Sequence, residues 1–480
     1  VPANGAAVCT AQGDCDFTCN PQYAKSGNTC VFIGGGVCPP NGSESCYGGP
    51  SGTQGVGACR AGTRKCNAAG TKWGSCLGDV QPKPEQCGNG VDDNCNGAVD
   101  EGVDLDGDGW SKCEGDCCDS LADGCANPAL VNPGAFDIDG NNLDDDCDGA
   151  IDNGAWTCDG GLVSNSSVPL DYAKAIDLCK TTVESPPKAQ RIWGVISSGL
   201  TLADGTGTPA ASSRSIRSGF GTNVTPKKGA KLAVFSTGHA AAKGDLNPSY
   251  VAFQSGKDMG TTSLAPSDWL AANGGKFPTA PGCPAPSSTT TNDPVMLKLR
   301  VRAPTNAKSF SLSSFFYSAE YPEYTCSTFN DMFLTLLDSS FTPGGGESAN
   351  PVDKNLAFFD AGGGLRYPVG VALATDAVGL FSACMNGPIS CLGTTSTYSK
   401  CVSTAELAGT GFDDVTTGCS TNNLLGGGTG WLTTTGNVRP GETIELRLVI
   451  WDTGDGIYDS LSLVDGFQWS EVSAEPGTRK

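Results

Sequence analysis

The chain has 480 residues, a formal net charge of −21, 24 cysteines and a single histidine. That length accommodates two to four domains with at least one sizeable core. The absence of clustered Lys and Arg excludes a nucleic-acid partner, because phosphate contacts need them. The charge is also uneven: 20 of the 51 acidic residues, against one base (Lys112), fall between Glu85 and Gly160, so the remainder is nearly neutral.

An even, high cysteine count with only 4 Met points to disulfides formed outside a reducing cytosol, hence to a secreted protein, extracellular or on the outer cell surface. A cytosolic zinc protein would instead show CxxC pairs and several His. No run of 18 apolar residues exists, so no membrane span is expected. A start at Val1, with neither Met nor an apolar leader, leads to the expectation of a mature, processed chain.

Three segments follow in order. Residues 1–84 hold nine cysteines among Gly, Pro and Asn, as in "VCTAQGDCDFTCNPQYAKSGNTCV". Too few large apolar residues are present for burial alone to hold a fold, so small loops and hairpins stapled by three or four disulfides are predicted. Residues 85–160 contain a repeat: "GNGVDDNCNGAVD" (Gly88–Asp100) aligns without a gap to "GNNLDDDCDGAID" (Gly140–Asp152). From 161 to 480 a short helix over Asp171–Lys180 is followed by strands. "PVMLKLRVRAP" (Pro294–Pro304) and "ETIELRLVIWD" (Glu442–Asp452) alternate apolar and polar residues, and "SFSLSSFFYSAEY", "NLAFFD", "YPVGVAL" and "DSLSLVDGFQW" add more. Gly-, Pro- and Thr-rich loops separate them. The fold class expected is mainly β: small disulfide-rich, calcium-loop modules, then a large antiparallel β-sandwich of jelly-roll type.

The acidic segment carries the chemistry. Asp104, Asp106 and Asp108 before Gly109, and Asp144, Asp146 and Asp148 before Gly149, both spell D-x-D-x-D-G. Asp92, Asn94 and Asn96 before Gly97 spell D-x-N-x-N-G. Alternate side chains of such a loop curl their oxygens onto one point while the Gly takes the sharp turn, which is the first half of a calcium loop. Twelve residues from Asp104 or Asp144 there is no Glu, so a helix-loop-helix is disfavoured. Asp100, Asp116 or Asp119, and Asp152 are the candidate closing ligands. Several Ca2+ ions would neutralise the crowded charge. Copper is the weaker alternative, because one His, four Met and disulfide-bound Cys leave little soft ligand.

With its D-C-x-D pair (Asp116, Cys117, Asp119), P-G-A (Pro133–Ala135) and D-D-D-C-D-G (Asp144–Gly149), this segment resembles the metal-binding repeat of MopE-type secreted bacterial proteins, a family associated with copper as well as metal in general. It is similar, less closely, to the calcium-wrapped repeats of thrombospondins. "EYPEYTCSTFNDMF" (Glu320–Phe333), "NLAFFD" and "GGGTGWLTTTGNVRPGETIELRLVIWDTGDGIYDSLSLVDGFQW" (Gly426–Trp469) resemble the choice-of-anchor L domain of myxobacterial-type surface and secreted proteins. That resemblance covers about residues 170–475. It implies an exported β-sandwich attached to the cell by varied anchors, and implies no catalytic activity.

Within the sandwich, Glu320, Asn330, Asp331, Asp452, Asp455 and Asp459 are candidates for one further calcium site at a strand rim. The competing reading is ordinary turn chemistry in "DTGDG". His239 in "FSTGHAAAKGD" has no nucleophile motif beside it. The expected protein is a non-enzymatic structural or adhesive one, with self-association into a filament or surface layer as a further expectation. A carbohydrate-binding protein, using Trp431, Trp451 or Trp469 on surface glycans, is the first alternative. A secreted glycoside hydrolase using Glu320 and Asp452 is the second.

Overall fold

A computed structural model of the chain describes residues 1–9, 15–20, 23–35, 37–153, 158–253, 257–360, 362, 365–374, 378–391, 394–415 and 425–480. The chain forms two compact units, Val1–Gly124 and Cys125–Lys480, so the second half of the acidic segment belongs to the same unit as the strands that follow it. No described helix is long and apolar enough to cross a membrane.

In the first unit, short chain segments between turns pair only with their neighbours. Gly5–Cys9 pairs with Cys15–Cys19, Tyr23–Ser26 with Thr29–Phe32, and Ser43–Cys46 with Gly62–Lys65. Cys19–Cys30, Cys38–Cys66, Cys46–Cys76, Cys59–Cys95 and Cys87–Cys113 staple them. Among the described residues of this unit, the buried apolar side chains are half-cystines and one tryptophan, Trp110. A core that small stabilises little, so the bridges, at about 2–4 kcal/mol each, supply what burial cannot.

The second unit is built on two antiparallel sheets of seven strands each. One runs Thr262–Leu264, Thr290–Arg302, Thr443–Asp452, Met332–Asp338, Arg366–Gly370, Phe358–Asp360, with Gly194–Thr201 also on Thr290–Arg302. The other runs Gly477–Arg479, Leu432–Asn437, Ser309–Ser318, Ser460–Ser470, Leu232–Ser236, Arg214–Arg217, with Gly427–Gly428 on Ser309–Ser318. Strand side chains alternate between faces. Val295, Leu297, Leu299 and Val301 of one sheet therefore meet Phe310, Leu312 and Phe316 of the other in one buried cluster. That is the sandwich the alternating pattern predicts.

Part of each outward face is buried too, while Lys298 and Arg300 stay exposed on the first sheet. Met332, Leu334, Leu336, Val449 and Trp451 pack under Trp269 and Phe277. Phe315, Tyr317, Leu461 and Leu463 pack under Phe220, Phe253 and Phe412. This explains why "LVIWD" and "SFFY" are almost continuously apolar: strands covered on both sides need no polar face. It also accounts for the size of the unit, since the long connections roof both sheets. The expected helix is shorter than its pattern, Pro169–Lys174. Ala175, Ile176 and Leu178 are still buried, but Asp177 takes φ +72, which breaks helical continuity.

Candidate metal centres

Each aspartate loop closes on its own backbone first. Asp104 accepts the amides of Gly107 (2.7 Å) and Gly109 (3.0 Å), and Asp106 and Asp108 accept those of Asp108 (3.0 Å) and Trp110 (2.7 Å). Asp119 Oδ1 accepts the amide of Leu105 at 2.6 Å and Asp116 Oδ1 that of Cys118 at 2.8 Å. These bonds fix where the loop's carboxylates stand. One carboxylate oxygen each from Asp104, Asp106 and Asp108 lies within 4.8 Å of the others, and so does one each from Asp106, Asp116 and Asp119. Asp116 and Asp119, the closing candidates after this loop, thus meet it through Asp106. Burial pushes the Asp116 carboxyl up to about 6 and raises that of Asp106. Asp106 Oδ2 and Asp116 Oδ2 are buried with no hydrogen-bond partner.

The later copy of the repeat behaves alike. Asp144 accepts the amides of Asp148 (3.0 Å) and Gly149 (2.9 Å), and Asp148 that of Ala150 (2.9 Å). Asp144 and Asp146 come together with Asp137, again within 4.8 Å. Asp146 pairs with Lys180 through Oδ2, and its buried Oδ1 has no partner. Burial raises the carboxyls of both Asp137 and Asp146. Asp137 was not a sequence candidate. Extending the repeat three residues upstream would have found it, because Glu85 stands at the matching place.

In the earlier copy the loop's own Asp92, Asn94 and Asn96 are engaged locally, while Glu85 Oε2 and Glu101 Oε2 stay buried without a partner. Asp92 accepts the amides of Asn96 (3.2 Å) and Gly97 (2.9 Å), and Asn94 and Asn96 both donate their side-chain amides to Glu101, at 2.8 and 2.5 Å. Asp100 accepts the amides of Asn89 (3.2 Å) and Gly90 (3.0 Å), and Asp152 those of Gly140 (2.9 Å) and Asn142 (3.1 Å). Both fasten a turn at the start of their own repeat.

At one end of the sandwich Glu320, Asp331 and Asp452 converge, with one oxygen from each within 4.8 Å of the others. All three are buried. Of their sequence companions, Asn330 is engaged elsewhere, accepting the amide of Ala372 at 2.8 Å. Asp459 accepts the amide of Lys257 at 3.2 Å, and burial pushes its carboxyl up to about 7. Asp455 is partly exposed and accepts the amide of Ile457 at 3.1 Å.

The tryptophans divide. Trp451 is wholly buried against Trp269 and Phe277, and Trp431 lies edge-on to Phe315. Trp469 and Trp193 stand edge-on at 6.3 Å beside a cavity of about 280 Å³ that Asp137, Asp139, Asp177 and Lys228 also line. The indole N–H of each is buried without a partner. His239 donates through Nδ1 to the Ser249 carbonyl at 2.9 Å.

Two family models match parts of the chain, and the Asp104–Asp119 loop lies between the two matched stretches of the metal motif. The Choice-of-anchor L domain matches residues 284–466, and the MopE-type metal-binding motif matches residues 81–101 and 126–153. No curated protein and no solved structure matches the chain. With its disulfides and this anchor domain, the chain is an extracellular or surface protein that carries a metal-binding motif.

Proposed function

We propose that this is a non-enzymatic structural or adhesive protein of the cell exterior whose aspartate repeats hold calcium. The observation that carries the reading is the set of buried, unpartnered oxygens Asp106 Oδ2, Asp116 Oδ2 and Asp146 Oδ1, each inside a cluster of three carboxylates. A buried carboxylate oxygen left without a donor costs roughly 1–3 kcal/mol or more, and a hard cation removes that cost. Asp106, Asp116 and Asp119 would hold one ion, and Asp137, Asp144 and Asp146 another. The donor set is all oxygen, which favours calcium over copper. Such an ion supplies charge compensation and rigidity, not chemistry. Calcium titration of the chelated chain should show saturable binding that Asp106→Asn and Asp146→Asn each diminish. Copper binding without calcium binding would sink this reading.

The burial of Glu320 and Asp452 denies a sugar ring access between them, which supports a function without hydrolysis. Self-association finds support in the strand Gly194–Thr201. It pairs along one side with Thr290–Arg302; apart from the bridge between Thr181 and Val195, no described strand covers its other edge. Eight residues without a charge make an unguarded edge, the kind that accepts a strand from a neighbour. Ser197→Lys should shift the chain toward monomer in sedimentation or negative-stain imaging. A wild type that is monomeric with and without calcium removes the self-association reading. The cavity beside Trp193 and Trp469 favours glycan binding as a second reading, to be decided by a glycan array with Trp469→Ala as control.

A further inference from the structure

We propose that Glu320, Asp331 and Asp452 hold one calcium ion inside the sandwich domain, a site separate from the aspartate repeats. Strand parity brings the three together. Asp452 ends the strand whose inward residues are Ile444, Leu446, Leu448 and Ile450, and Asp331 is in phase with inward Phe333 and Leu337. Glu320 continues the phase of Phe310, Leu312 and Phe316 two residues past its strand. Two sheets thus deliver three carboxylates to one end of a layer whose other inward side chains are apolar or carry only a hydroxyl, as Ser314 and Thr335 do. They are 1 %, 0 % and 0 % exposed.

Their hydrogen bonding is incomplete. Asp331 accepts the amide of Thr453 at 3.1 Å and the hydroxyl of Ser460 at 2.6 Å, which fixes its orientation. Both oxygens of Asp452 and Oε2 of Glu320 have no partner, and no described Lys or Arg pairs with any of the three. Three uncompensated charges in a dry interior are prohibitively costly. Calcium–oxygen bonds are about 2.4 Å, so opposite ligands of one ion stand about 4.8 Å apart. The separation observed here, within 4.8 Å, suits a single ion touching all three. No sulfur or imidazole joins the group, so the ion is a hard one. Burial also raises all three carboxyls in the absence of metal. The rival arrangement is therefore three acids that share protons and bind nothing.

Equilibrium dialysis of the full chain against calcium near neutral pH separates the two. Wild type should bind one more calcium per chain than Asp452→Asn. A chain with Asp106→Asn, Asp116→Asn and Asp146→Asn should keep that one ion, and chelation should lower its melting temperature. Equal stoichiometry in wild type and Asp452→Asn overturns the proposal. If Asp452→Asn fails to fold, the triple repeat variant decides: no bound calcium and no response to chelator overturns it equally. Loss of calcium from Asp452→Asn alone, with none lost from the repeat variant, would sustain this site and sink the repeat reading instead.

Discussion

Asn94 donates its side-chain amide to Glu101 at 2.8 Å, whereas the residue at the same place in the later repeat, Asp146, pairs with Lys180. One scaffold has therefore been closed in two ways. In the earlier copy an amide–carboxylate network completes the loop. In the later copy a third carboxylate enters, and a lysine only 18 % exposed neutralises part of it. A cation bound by Asp137, Asp144 and Asp146 must compete with that ammonium for Asp146. Lys180→Gln should therefore tighten calcium binding at this repeat by about 1 kcal/mol, roughly fivefold. Titration of the two chains measures it. Weaker binding in the variant would mean that Lys180 positions Asp146 and does not compete with the ion.

Chelation should loosen the loop Asp104–Asp119 before anything else in the first unit. Its apolar core there is little more than Trp110 and half-cystines, so once the ions are gone the carboxylates of Asp106, Asp116 and Asp119 repel with nothing to offset them. The bridges Cys59–Cys95 and Cys87–Cys113 remain and keep the chain collapsed. Limited proteolysis under non-reducing conditions should cut near this loop faster in chelator than in calcium, while the sandwich fragment stays intact. Equal cleavage rates would count against a structural role for the ion.

How much of this was legible in advance depended on whether the determining interaction was local. Glycine positions and aspartate alternation in Asp104–Gly109 are local, and the loop folds as its spacing predicts. The strands Thr290–Arg302 and Thr443–Asp452 were equally plain, because a period of two survives any partner. Asp100 and Asp152 follow their loops at the expected distance, but the amides of Asn89 and Gly140 hold them at the start of the repeat, and neither joins a carboxylate cluster among the described residues. Asp137 escaped because its place in the cluster comes from a turn that folds back across seven residues to the amide of Asp145. The convergence of Glu320, Asp331 and Asp452 lay between. Parity shows which face each one takes, but only the pairing of the sheets brings the three ends together.

The surface helix Ser267–Ala272 offers the last test. It carries Trp269, which roofs the outer face of the first sheet by packing on Trp451. Asp268 fastens it, accepting from Arg447 Nη1 at 3.0 Å and Nη2 at 2.6 Å, and from Lys354 Nζ at 3.0 Å. Burial would raise the Asp268 carboxyl, but the hydrogen bonds of Arg447 and Lys354 outweigh it and hold the group well below the usual range. With the folded pKa depressed, the stabilisation is present above the unfolded value of about 4 and is lost as pH falls through the folded one. Asp268 is 35 % exposed, so solvent screening limits the loss in Asp268→Asn to about 1–2 kcal/mol at neutral pH. Thermal melts of the two chains should converge as pH drops below about 4. Curves that stay parallel to the lowest pH would show that the helix is held by Trp269 alone.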